Sequence, residues 1–176
     1  MSISYIIATY AGINHTSNQE LRGIVLAKVF EQLVLLLKNK HQHSLPNLIR
    51  EVIVMVPPIK VGDTPLPFYY MPVTWGKQLK PYGVELKFID YRGENNHHSY
   101  DQWIQGWLAA DQKSDYFLFA EDDYYLDPTN TMVDMILVEQ YKKKFPSGVG
   151  YLTSYAADLF NYGYHAAISN GMISRT

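Results

Sequence analysis

Short apolar runs alternate along this chain with longer stretches in which apolar residues recur every three or four positions. The run SYIIATY, Ser4 to Tyr10, predicts a buried strand closed by turn residues. SNQE, Ser17 to Glu20, then has the spacing of a capping box and predicts a helix reaching about Lys40. Leu21, Ile24, Val25, Val29, Leu33, Leu36 and Leu37 form its apolar face. REVIVMVPP, Arg50 to Pro58, predicts a second strand stopped by two prolines. The proline-rich stretch from Pro57 to Pro72 is expected as a loop, with one helical turn near Val73 to Lys80.

VELKFIDY, Val84 to Tyr91, predicts a third strand, and RGENNHHS a loop. Tyr100, Trp103, Ile104, Trp107 and Leu108 then fall at helical spacing, with Ser99 as the cap. That spacing predicts core packing for Trp103 and Trp107 rather than a sugar-stacking role. DYFLFA, Asp115 to Ala120, predicts a fourth strand, and Thr131 to about Phe145 another helix. GVGYLTSY and HAAISNGMIS read as two further strand-like segments.

Strands alternating with helices predict an α/β fold, largely parallel at its start. Ligands bind such sheets outside the carboxyl ends of the strands. Thr9 and Tyr10 end the first strand, Asp90 and Arg92 the third, and Glu121, Asp122 and Asp123 the fourth. Parallel strands place all of these along one edge of the sheet.

Composition narrows the function. The chain has 176 residues, enough for one domain with a core, and 47% apolar residues exclude a disordered chain. A formal net charge of -2 gives no basic excess for nucleic acid. The one dense basic run, Lys142 to Lys144, sits at a helix end and suits the helix dipole. Without cysteine there is no disulfide, zinc-thiolate site or cysteine nucleophile. The start of the chain lacks the pattern of a signal peptide, and no apolar run is long enough to cross a bilayer. These features together suggest a cytoplasmic protein.

The three consecutive acids, Glu121 to Asp123, directly follow an apolar strand. In an extended segment, residues two apart share a side, so Glu121 and Asp123 are expected to face one point and Asp122 the other. Converging carboxylates hold a hard cation or perform acid–base work. Asp127 before Pro128 reads as a turn or cap residue. His41 with His43, and His97 with His98, read as surface residues.

The stretch KSDYFLFAEDDYYLDP resembles the strand-plus-DxD segment of GT-A fold glycosyltransferases, especially those like family 2. YIIATYAG resembles their opening strand and nucleotide-binding loop, and AAISNGMIS a segment that shapes the acceptor side in some members. The resemblance runs through nearly the whole chain in order and spacing. It implies a Rossmann-like, mainly parallel central sheet flanked by helices, in a single domain. About 1–125 would hold the donor and about 126–176 the acceptor side, the latter shorter than in most members.

The resemblance also implies a glycosyltransferase, with a nucleotide-sugar donor (UDP-sugar by default) and a Mn2+ or Mg2+ ion. The acceptor would be a glycan or glycoprotein hydroxyl. Thr9 and Tyr10 match the loop that holds base and ribose. Asp123 matches the direct metal ligand, and Glu121 and Asp122 the ribose or metal-water positions. Where many members carry Ala-Arg-Asn, this chain reads YDQWIQGW, which leaves Arg92 as the candidate diphosphate contact. Asp63 is the nearest carboxylate after the second strand. Asp158 is the candidate base, and His165 a candidate metal ligand or base. The alternatives are a sugar-nucleotide nucleotidyltransferase and a non-catalytic binding domain. The first usually carries a Gly-rich basic loop after the opening strand, and ATYAGINHTSNQE has one glycine and no Lys or Arg.

Overall fold

The computed structural model describes residues 1–9, 19–56, 71–93, 99–122, 124–153 and 170–175, with only the backbone described for 19–24 and 71. The elements are β1 (Ile3–Ala8), α1 (Gln19–Gln42), β2 (Ile49–Val56), α2 (Met71–Leu79), β3 (Glu85–Asp90), α3 (Ser99–Ala109), β4 (Tyr116–Glu121), α4 (Val133–Lys144) and β5 (Asn170–Ser174). The strands form one sheet in the order β3-β2-β1-β4-β5. All neighbours are parallel except β4 and β5. This is the mixed α/β architecture that the alternation predicts.

β1 is the middle strand and every one of its residues is buried. That explains its near-continuous apolar sequence, because a parallel strand covered on both faces has no solvent side. Ile3, Tyr5 and Ile7 join one core with α1, α2, α4 and the Leu118 side of β4. Ile6 and Ala8 join a second core with Trp103 of α3, Phe117 and Phe119. The right-handed crossover rule accounts for the split. The chain steps from β1 to β2 to β3 in one direction and then returns past β1 to β4, so α3 lies on the opposite face.

Three expectations change. The single helical turn expected near Val73 is the nine-residue α2. Pro72 falls in its first turn, where a missing N–H costs nothing, so a proline-rich stretch conceals a helix. Of GVGYLTSY, the described residues, 148–153, contribute one bridge, Leu152 with Met172. The Tyr141 hydroxyl lies 3.0 and 2.9 Å from the carbonyl oxygens of Gly148 and Gly150, which draws them away from a ladder.

The third change concerns α3. Of the stripe expected in the core, only Trp103 is buried, while Ile104, Trp107 and Leu108 are 56, 38 and 67% exposed. The helix instead turns Ser99, Gln102, Trp103 and Gly106 inward. Gly106 decides this. A Cβ there would sit 2.5 Å from Ile6 Cγ2, so only glycine lets α3 lie this close to β1.

α1 behaves as its pattern predicts, with Val29, Leu33, Leu36 and Leu37 buried, joined by Leu26 and Phe30. His41 and His43 are exposed, as are Lys142 to Lys144 in the last turn of α4. The capping serine, Ser17, lies outside the described residues.

Candidate functional site

The strand order reverses between β1 and β4, and the register pairs Ala8 with Glu121. The exit of β1 and the acidic segment are therefore side by side at a topological switch point, where open α/β sheets hold ligands. The first turn of α3 fastens both strand ends. The Ser99 hydroxyl donates to Glu121 Oε1 at 2.9 Å, and the Trp103 indole N–H donates to the Ala120 carbonyl at 2.9 Å.

Gln102, wholly buried, completes the clasp. Its Oε1 accepts from the Thr9 N–H and its Nε2 donates to the Thr9 carbonyl, both at 2.9 Å. The amide thus satisfies the backbone of Thr9, just beyond the last ladder pairs of β1. The Thr9 hydroxyl donates to the Met55 carbonyl at 2.7 Å. Thr9 is fully buried, and its N–H, carbonyl and hydroxyl are all engaged within the fold. It fixes where the chain leaves the sheet.

The acidic segment does not continue extended past Glu121. The Tyr124 N–H donates to the Glu121 carbonyl at 3.1 Å, which closes a turn over residues 121–124. The shared side expected of Glu121 and Asp123 involves a residue outside the described ones. Glu121 shares the α3 face with Phe117 and Phe119 and is partly buried, while Asp122 is 2% exposed. Asp123 lies outside the described residues. Downstream, the fully buried Tyr5 hydroxyl donates to the Tyr124 carbonyl at 3.1 Å, and burial raises its pKa well above the ordinary tyrosine value. The acidic turn is thus held on both sides.

The segment after the turn is anchored to α1. Lys40 and Asp134, each 1% exposed, form an ion pair at 2.5 Å. Lys40 also donates to the Thr131 carbonyl, and Asp134 accepts from the Leu48 N–H. Asp127 takes the turn role expected of it. It accepts from the Thr129 hydroxyl and N–H, which lowers its pKa.

Asp90 and Arg92 lie at the same end of the sheet but farther off. β3 is the edge strand, so Asp90 stands three strand spacings, roughly 14 Å, from Glu121. Both are exposed, and the Arg92 N–H donates to Gln105 Oε1 at 3.3 Å. Tyr10, Asp63, His97, His98, Asp158 and His165 lie outside the described residues.

A buried polar cluster lies toward the opposite, amino end of the strands. Glu51, 2% exposed, is 2.5 Å from the Ser4 hydroxyl, accepts from the Asp111 N–H, and pairs with Lys87 at 2.7 Å. Burial alone would lower the Lys87 pKa, but the hydrogen bond and charge of Glu51, with Glu85, hold it above its ordinary value.

Sequence reasoning missed Gln102 and Tyr5. The available signal for Gln102 was its i, i+4 pairing with Gly106 on the helix side opposite the apolar stripe. For Tyr5 no signal separates it from an ordinary core tyrosine.

No protein-family model and no curated protein sequence matches the chain. Among solved structures, it is similar to the 4-diphosphocytidyl-2C-methyl-D-erythritol synthase of Anaerococcus prevotii, at 9% identity and a TM-score of 0.48. The match covers 99% of this chain and 70% of that one. A likeness at that level decides nothing about activity. Among the described residues, no helix is long and apolar enough to cross a membrane.

Proposed function

We propose that this chain is a metal-dependent glycosyltransferase that moves a sugar from a nucleoside-diphosphate donor, UDP-sugar by default, to a hydroxyl of a glycan or glycoprotein. The observation that carries the reading is the Ala8–Glu121 pairing, which sets the exit of β1 beside the acidic turn where the strand order reverses. In this reading Thr9 acts through the backbone by directing the chain toward Tyr10, which stacks on the base. Asp63, Asp90 and Arg92 are further donor contacts, Asp158 is the acceptor base, and His165 supports metal or base.

Among the described residues no group of three or more metal-binding side chains gathers. Glu121 and Asp122, with Asp123 next in sequence, offer carboxylate oxygen alone. That donor type suits Mg2+ or Mn2+, which keep water and substrate phosphate oxygens in the shell, better than a softer metal. Such a cation, when bound, stabilises charge on the departing diphosphate.

The rival is a nucleotidyltransferase. Residues 10–21 carry no Lys or Arg to receive a triphosphate, which favours the diphosphate-sugar reading. A thermal-shift panel of UDP, UDP-sugars and UTP with sugar 1-phosphates, each with and without Mn2+, tests both. The expected result is a UDP-sugar shift that requires Mn2+. The reading falls when no nucleoside diphosphate or its sugar gives a metal-dependent shift. Pyrophosphate release from UTP and a sugar phosphate would establish the rival.

A further inference from the structure

The fold holds Glu121 through its backbone. The register sets it opposite Ala8, the Trp103 indole N–H holds the carbonyl of Ala120 just before it, and the Tyr124 N–H holds its own carbonyl. The bond from Ser99 is of another kind. Its hydroxyl reaches the side chain itself, at Oε1, over 2.9 Å. A carboxylate only accepts, so this bond takes the one proton that a serine side chain can give. Ser99 is the first residue of α3 and is 3% exposed, so water competes little for the bond.

We propose that Ser99 is a positioning residue of the acidic turn: its hydroxyl sets the orientation in which the Glu121 carboxylate meets a divalent cation, and thereby the affinity for that ion. The inference rests on the transferase reading for the cation, and it adds to that reading a residue of α3 outside the acidic motif. The first argument is what the bond requires. Trp103 and Gln102 already fasten α3 to the sheet, through backbone atoms of Ala120 and Thr9. Those bonds need no particular side chain at position 121. The Ser99 bond needs an acceptor there, so it serves the acid rather than the docking of the helix.

The second argument is order. Glutamate has a long, freely rotating side chain, and arresting it when an ion arrives subtracts from the binding free energy. A hydroxyl that orders the carboxylate in the folded chain removes that loss in advance. The third is charge. Serine is neutral, so it orients the carboxylate without offsetting its charge, as a lysine or arginine in its place would.

The test titrates the full chain with Mn2+, alone and with UDP, and reads the free ion by electron paramagnetic resonance. The temperature is one at which circular dichroism shows every variant folded. Ser99→Ala should weaken Mn2+ about 10- to 100-fold, as the loss of a hydrogen bond behind a metal ligand does. Ser99→Thr keeps the hydroxyl and should restore most of the affinity. The melting temperature without Mn2+ separates this role from a merely structural one. A serine that only starts the helix would lower Tm on change to alanine and leave the Mn2+ affinity as it was. That result, or a loss in Ser99→Thr as large as in Ser99→Ala, overturns the proposal and leaves the transferase reading standing. A parent chain that takes up no Mn2+, alone or with UDP, overturns both.

Discussion

The side-chain amide of Gln102 caps the backbone of Thr9 from both sides, accepting from its N–H and donating to its carbonyl, each at 2.9 Å. One residue of α3 thereby satisfies both backbone groups just past the end of β1. Gln102→Ala leaves both Thr9 groups buried without that partner. The expected cost is about 2–4 kcal/mol, one to two unmatched buried groups, read by urea denaturation. Gln102→Glu should also destabilise, because a carboxylate has no donor for the Thr9 carbonyl.

Gly106→Ala should force α3 away from β1, since the new methyl would meet Ile6 Cγ2 at 2.5 Å and Met55 Sδ at 3.2 Å. Overpacking of this kind costs about 1–3 kcal/mol. For a chain of this size that is a fall in Tm of about 2–4 °C per kcal/mol. A melting curve unchanged from the parent would contradict the close packing described.

The Lys40–Asp134 pair predicts a marked asymmetry between single and double variants. Asp134→Ala strands a buried ammonium and uncaps the Leu48 N–H, at an expected cost of about 3–5 kcal/mol. Lys40→Met with Asp134→Leu removes both charges, and its cost should be smaller than the sum of the two single changes. A double-mutant cycle in denaturant measures the difference.

Alkaline pH should destabilise the fold. Tyr5, Tyr116 and Tyr151 all have raised pKa values, burial being the largest cause in each. Below pH about 10 both states keep these protons and the stability is intact. As pH rises above that value the unfolded chain releases them first, so stability falls by up to about 1.4 kcal/mol per pH unit per tyrosine. Tyr5→Phe should flatten the decline, as followed by denaturation at pH 9 to 11.

Glu121→Gln keeps an acceptor for the Ser99 hydroxyl and should remain folded. On the proposed reading it weakens metal-dependent nucleotide binding about tenfold or more, the loss of one charged oxygen ligand. Asp123→Ala should abolish the Mn2+-dependent thermal shift with an unchanged baseline melting temperature. Full retention of the shift in both variants would remove the acidic turn from the metal site.

The four parallel strands and the long first helix were legible in the sequence, because burial on both faces demands continuous apolar runs and an amphipathic helix shows its period. Ser4 to Tyr10, Arg50 to Pro58, Val84 to Tyr91 and Asp115 to Ala120 each fall within two residues of an observed strand's ends. The acidic cluster was legible too, as charge placed at the end of such a run.

Periodicity alone could not say which side of α3 meets the sheet. Its apolar stripe argued for Tyr100, Ile104, Trp107 and Leu108 inside. The close approach that Gly106 allows, and the Thr9 groups that Gln102 satisfies, turn the helix the other way. The same holds for the acids. Sequence determined that three carboxylates leave the sheet together, because the apolar strand before them has to end. Only tertiary structure decided that the Tyr124 N–H returns to the Glu121 carbonyl, that Asp122 is buried, and that Trp103, Ser99 and Tyr5 hold this segment. Those contacts span 17 to 119 residues of chain, and no local pattern encodes a partner that distant.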